Sequence, residues 1–323
     1  MPHSQAEQAE PRASAGHGPS PGSGPTLDEL LQTTSRTFAL AIPLLPEPER
    51  TDVTLGYLVF RIADTLEDAD NLPRDARRDA LADFAETLAD LSPERLEQFT
   101  DRWASRRPCD NDDYQRLMEN TPAVLGELAA RPAPVRETVV DFATRSIRGM
   151  AETLERATAD AELRCESIDQ LRGYCYHVAG IVGELLTQLF ELRLGDSSSV
   201  KTLRQQARWF GEGLQLVNIL KDADADAAEG RSYLPAGVPL AQVFELADDD
   251  LLRAASYIDA LREAEAPAGY IAFCRAPREM AVATLAKLRT DGPGAKITRE
   301  QVAAIMEAVR EDRPVADPST QGN

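Results

Sequence analysis

Between Thr26 and about Val309, apolar residues recur three and four positions apart, charges fill the remaining positions, and alternating β-branched runs are missing. That is the period of amphipathic helices rather than strands, so the pattern predicts an all-α fold. Prolines interrupt it at Pro43 with Pro46 and Pro48, at Pro132 with Pro134, and at Pro235 with Pro239, where breaks between helices are expected. No repeat of fixed period and no central linker divides the chain, so one helical domain over residues 26–310 is expected. Residues 1–25, built of Pro, Gly, Ser and Ala with almost no large apolar side chain, and residues 311–323 read as disordered tails.

Two helical segments carry charge where burial would be the simpler use. In "YLVFRIADTLED", Tyr57, Arg61, Asp64 and Asp68 follow at spacings of four, three and four, which places them on one stripe with Glu67 beside it. In "LQLVNILKDADADAAEGRSYLP", Gln215, Asn218, Asp222 and Asp226 form a second stripe, while Leu214, Val217 and Leu220 are expected to turn toward other neighbours and Asp224 toward solvent. Gly230 can end that helix and Pro235 prevents its resumption, leaving Arg231 and Tyr233 in a turn just past the last carboxylate.

Either stripe alone reads most simply as a solvated acidic face. Together, with Arg61, Gln215 and Asn218 on the same stripes, they read better as two halves of one site. At an effective dielectric of about 20, two like charges about 4 Å apart repel by about 4 kcal/mol, so carboxylates converging across a cavity need cations. Oxygen-only donors select Mg²⁺ or Mn²⁺ over zinc or copper. Mg²⁺ binds through few carboxylates plus substrate phosphates, which makes a diphosphate the natural bridging ligand. A helical cavity with an apolar interior behind such a mouth suits a substrate with an anionic head and a hydrocarbon tail.

Composition narrows the alternatives. The 35 Lys and Arg against 54 Asp and Glu leave a formal net charge of −19, which argues against a nucleic-acid partner and for a well-solvated surface. Cys109, Cys165, Cys175 and Cys274 are widely spaced without a CxxC pair, so they read as reduced core thiols rather than a disulfide framework or thiolate zinc site. Of three histidines only His177 falls in a helical segment, which disfavours histidine-based metal ligation. No stretch approaches 18 consecutive apolar residues and no signal-peptide core is evident; a cytoplasmic protein, at most peripheral at a membrane, is expected.

Five ordered blocks resemble the squalene and phytoene synthase family of isoprenoid enzymes, its squalene synthase branch in particular. They are "SRTFALAI" (35–42), "YLVFRIADTLED" (57–68), "YCYHVAGIVGELLTQLF" (174–190), the second acidic segment, and "FCRAPREMAVATL" (273–285) followed by "KITREQ" (296–301). The resemblance implies a single all-α, isoprenoid-synthase-type bundle around a central cavity. It implies a farnesyl-diphosphate farnesyltransferase that joins two farnesyl diphosphates head to head into presqualene diphosphate, then reduces this to squalene with NADPH. Mg²⁺ would be held by Asp64, Glu67, Asp68, Asp222 and Asp226. Ser35 belongs to the diphosphate-binding entry, Arg36, Arg61 and Arg231 would contact diphosphate or nucleotide phosphate, and Gln215 and Asn218 would orient the second diphosphate. Tyr57 and Tyr174 would stand near the reacting carbons, Tyr174 assisting proton removal, and Phe38 and Phe273 would stabilise carbocations through their ring faces. Gly180 and Gly183 would let helices approach closely.

The chain also departs from the family pattern. Lys221 stands where the family often has arginine; Lys296 matches a nucleotide-contacting lysine, yet Thr298 stands where squalene synthases commonly place a second basic residue. The alternatives are a phytoene synthase, or a sister enzyme that releases presqualene diphosphate, dehydrosqualene or hydroxysqualene without NADPH. The membrane anchor of eukaryotic relatives is not seen, although an apolar product still implies release toward a membrane surface. Oligomeric state is left open.

Overall fold

The structure, a computed structural model, describes residues 24–156, 163–195, 198–228, 230–313 and 315. Among these residues fourteen α-helices follow one another: α1 (Leu27–Thr34), α2 (Phe38–Ala41), α3 (Glu49–Glu67), α4 (Arg74–Ala89), α5 (Pro93–Trp103), α6 (Asp112–Glu119) and α7 (Thr121–Ala129), then α8 (Ala133–Arg156), α9 (Ile168–Cys175), α10 (Ile181–Leu194), α11 (Ser198–Ala228), α12 (Leu240–Glu263), α13 (Ala268–Asp291) and α14 (Arg299–Arg310). The expected all-α class holds. Both expected tails fall mostly outside the described residues.

Local chemistry sets the helix ends. Thr26 with Glu29, and Thr298 with Gln301, form reciprocal caps at the starts of α1 and α14, and Asn111 and Ser167 accept backbone N–H groups at the starts of α6 and α9. Pro43, Pro46 and Pro48 separate α2 from α3, and Pro235 and Pro239 separate α11 from α12, as the pattern predicts. Pro134 instead sits in the first turn of α8, where its missing N–H would have had no helical partner. Pro277 lies inside α13 and removes the hydrogen bond that would return to the Phe273 carbonyl.

Strand content among the described residues is one parallel pair of two residues each, β1 (Leu163–Arg164) with β2 (Arg231–Ser232). Arg231 is therefore paired rather than in a free turn, and Gly230 before it has a φ of 78°, which suits a residue without a Cβ.

One large apolar core is shared by α1 to α8, α10, the first half of α11, the second half of α12, most of α13 and α14, and a smaller one gathers α9, the second half of α11, the first half of α12, the end of α13 and Tyr233. Three of the cysteines are buried in these cores; Cys109, expected there too, is only half-buried. Between α9 and α10 the chain makes a π-helical turn, Tyr176–Gly180, which packs on α11. There the backbones meet directly. A Cβ on Gly183 would lie 2.0 Å from the Ala207 carbonyl oxygen, and one on Gly211 would lie 1.9 Å from that of Ala179. This close contact sets α10 and α11 as one wall, with α3 and α13 completing the enclosure around a cavity.

Candidate active site

The cavity has a volume of about 1060 Å³ and a polar wall. From the α1–α2 junction come Ser35, Arg36 and Phe38; from α3, Arg61, Asp64, Glu67 and Asp68; from α11, Gln215, Asn218, Lys221, Asp222 and Asp226. Tyr174, Arg231 and Lys296 complete the expected set on this wall. A smaller apolar cavity of about 190 Å³ adjoins it and shares Phe38, Arg61, Asp64, Gln215 and Asn218 with it. Its inner lining includes Tyr57, Val182, Leu186, Phe210 and Phe273. Every residue given a catalytic, substrate, cofactor or metal role from the sequence thus borders one of two joined spaces.

The two acidic stripes face each other, and Arg231 stands between them. Its Nη1 lies 3.7 Å from Asp68 Oδ1 on α3, and its Nε lies 4.0 Å from Asp226 Oδ1 on α11. Arg77, buried under the end of α3, donates to the carbonyl oxygens of Glu67 and Leu72 and so holds the turn that presents Asp68. Arg61 is held on several sides: Nη1 is 3.4 Å from Asp64 Oδ2, Nε donates to Tyr57 Oη at 3.3 Å, and the guanidinium lies over the rings of Tyr57 and Tyr114 at 5.6 and 5.5 Å. Tyr57 in turn donates to the Thr34 carbonyl at 2.6 Å, tying α3 to α1.

Other members have local reasons for their places. Ser35 Oγ accepts from the Phe38 N–H at 2.9 Å and so starts α2, which leaves Arg36 exposed at the mouth. Phe38 packs on Tyr57 and Phe273 with ring centroids 5.7 and 6.5 Å apart, an aromatic corner at the meeting of the two cavities. The Lys221 ammonium lies 3.1 Å from Asn218 Oδ1 and 3.2 Å from Asp222 Oδ2. Asp224 is exposed, as expected, but Leu214 and Val217 line the larger cavity instead of turning away from it. The cavity is wider than one helical stripe.

Desolvation inside the cavity raises the carboxyl of Asp64 from an ordinary 3.8 to about 6, with Arg61 opposing and Asp68 adding to the shift. Glu67, buried, is pushed well above its ordinary range by burial and then by Asp68 and Asp64. Asp68 is raised by desolvation within the cavity, although 62% of its side chain still meets solvent there, while Arg231 and Arg61 pull it back. Negative charge on this wall is under-compensated.

Among the described residues, no three Asp, Glu, His or Cys side chains are gathered into a ready-made metal cage. Five carboxylates on facing walls, oxygen donors only, with three of them destabilised as anions, fit a hard divalent cation that completes its shell with water and phosphate oxygens.

Sequence reasoning missed four contributors. Tyr233 was expected only in a turn, yet it lines the cavity against Tyr174. Tyr114, from α6, supplies the second ring around Arg61, and Pro277 and Met280 bring α13 to the wall. The dipeptide step from Arg231 to Tyr233 carried the available signal for Tyr233; nothing in the local pattern marks Tyr114.

The model of the squalene/phytoene synthase family matches residues 31–304. The chain is 29% identical over 276 residues to a squalene synthase of Gibberella zeae, covering 79% of this chain and 56% of the relative. It is 30% identical over 281 residues to a squalene synthase of Botryococcus braunii, covering 79% and 56%. The chain therefore spans a little over half the length of these curated relatives. A solved structure of TcSQS with the ligand E5700 superposes with a TM-score of 0.71 at 24% identity, over 88% of this chain and 84% of that one, a likeness of fold.

Proposed function

This chain belongs to the squalene/phytoene synthase family, and from that premise we propose that it joins two farnesyl diphosphates head to head into presqualene diphosphate and reduces this to squalene. The observation that carries the reading is the meeting of two acidic stripes at a polar mouth that opens on an apolar cavity. An anionic head and a hydrocarbon tail match those two spaces.

Asp64, Glu67, Asp68, Asp222 and Asp226 would hold Mg²⁺, which when bound supplies Lewis-acid stabilisation of the departing diphosphate. Arg36, Arg61 and Arg231 offer guanidinium forks to the same phosphate oxygens. Gln215 and Asn218 orient the second diphosphate. Phe38 and Phe273 turn ring faces toward the positive charge that develops on carbon, where water is excluded by the apolar lining. Tyr174 assists loss of the proton whose departure closes the cyclopropane ring. Lys296 and Lys221 are the cationic groups available to NADPH, which when bound supplies the hydride of the second stage.

A specific observation favours a second reading, product release without reduction. Thr298 is committed to capping α14, its Oγ1 accepting from Gln301 N at 3.2 Å, and the Lys221 ammonium is occupied by Asn218 and Asp222. Both features thin the positive charge available to a nucleotide phosphate. Incubation with farnesyl or geranylgeranyl diphosphate and Mg²⁺, with and without NADPH, separates the readings by product mass. The primary reading predicts presqualene diphosphate alone without NADPH and squalene with it. Presqualene diphosphate, dehydrosqualene or hydroxysqualene as the end product even with NADPH supports the second reading, a C40 product from geranylgeranyl diphosphate supports a phytoene synthase, and a cyclised product from a single substrate contradicts all of them.

A further inference from the structure

Two phenols share the cavity wall in a way the established motifs do not account for. Tyr174, in the last turn of α9, and Tyr233, just after β2, are each 9% exposed, with rings stacked at a centroid distance of 4.6 Å. Tyr174 Oη donates to Tyr233 Oη at 3.2 Å. The backbone that carries Tyr233 is pinned on its other side: Ser232 pairs with Arg164, and its carbonyl accepts from Cys165 N at 2.9 Å. Tyr233 is thus placed by the only strand pairing among the described residues, one residue from its own Cα.

Burial pushes both phenols up, and Glu67 and Asp68 nearby push in the same direction. A phenol in that setting stays neutral and is a poor base by itself. It can take a proton on its oxygen only while it gives its own away, and the hydrogen bond to Tyr233 fixes where that proton goes.

We propose that Tyr233 is a catalytic residue in series with Tyr174: it holds the Tyr174 hydroxyl proton away from the substrate, aims the Tyr174 lone pairs into the cavity, and receives that proton during ring closure. The proposal rests on the head-to-head condensation proposed above. In that step the carbon gives its proton to Tyr174 Oη, and the C–H electron pair becomes the closing C–C bond. Tyr174 passes its original proton to Tyr233, and Tyr233 passes its own to an oxygen of the diphosphate that has already left with the C–O electron pair. Atoms and charge balance with no further reactant.

The test is Tyr233→Phe in the full chain, with farnesyl diphosphate and Mg²⁺ under single-turnover conditions in H₂O–D₂O mixtures. The expected result is a single-turnover rate lower by at least about 100-fold, with the dependence on farnesyl diphosphate concentration and the melting temperature near wild type. The proton inventory should be curved for wild type and linear for the variant. Tyr174→Phe with Tyr233→Phe should be no slower than Tyr174→Phe alone, because the two act in series. An unchanged rate, a lower rate with the curved inventory intact, or a double variant slowed by the product of both effects overturns the proposal. A wild-type protein that makes no head-to-head product refutes the condensation itself, and the relay with it; a productive wild type indifferent to Tyr233 removes the relay alone.

Discussion

Asp64 is held where a carboxylate is least stable as an anion, between a desolvating wall and a second carboxylate. Its folded-state pKa of about 6 lies above the ordinary 3.8, so its contribution to stability is full below about pH 4 and is lost as pH rises through about 6. Asn at this position does not titrate. In metal-free protein, the melting temperature of Asp64→Asn relative to wild type should therefore climb between pH 4 and pH 7 and level off above, whatever offset the lost pairing with Arg61 adds. Thermal melts across that range in chelator check it; a difference flat with pH would remove the electrostatic account. The same variant should lose diphosphate release, the exchange of function for stability expected where like charges are gathered for a ligand.

The elements are set by backbone contact more than by side chains where α10 crosses α11. Gly211→Ala puts a methyl 1.9 Å from the Ala179 carbonyl oxygen, which cannot yield without moving the π-helical turn. A loss of about 1–3 kcal/mol is expected from such overpacking, measured by denaturant titration, whereas the same change at Gly126, inside α7 where an added Cβ meets nothing within 4 Å, should stabilise by about 0.5–1 kcal/mol. Helix periodicity is also why the stripes on α3 and α11 were legible in the sequence: once a segment is helical, spacings of three and four decide which side chains share a face. That rule could not reach Tyr233 or Tyr114. Tyr233 owes its place to pairing with residues about seventy positions earlier, and Tyr114 to the packing of α6 beside α3, neither of which leaves a local pattern. Leu214 and Val217 were misplaced for a related reason, since a stripe predicts direction but not the width of the space it faces.

At the scale of the whole molecule, the division of labour is between a polar mouth and an apolar interior. Val182, on the inner lining, offers a way to separate them. Val182→Phe should narrow the space of about 190 Å³, raise KM for farnesyl diphosphate severalfold, and leave the affinity for inorganic pyrophosphate unchanged, as competition assays would show. Equal weakening of both ligands would mean that the two cavities do not act as head and tail sites. The fold class was readable from the helical period between Thr26 and about Val309, and the facing stripes from residues 57–68 and 214–235; the depth and shape of the interior depend on α10 and α13 meeting across it, which no single segment encodes.

The central claim is that α3 and α11 hold one cation–diphosphate group between them. Calorimetric titration of inorganic pyrophosphate into wild type, Asp64→Asn and Asp222→Asn, each with and without Mg²⁺, tests it most directly. The account predicts tight binding by wild type only with Mg²⁺, and at least about tenfold weaker binding in either variant, since each removes one side of a shared site. Wild-type affinity in Asp64→Asn or in Asp222→Asn would contradict it.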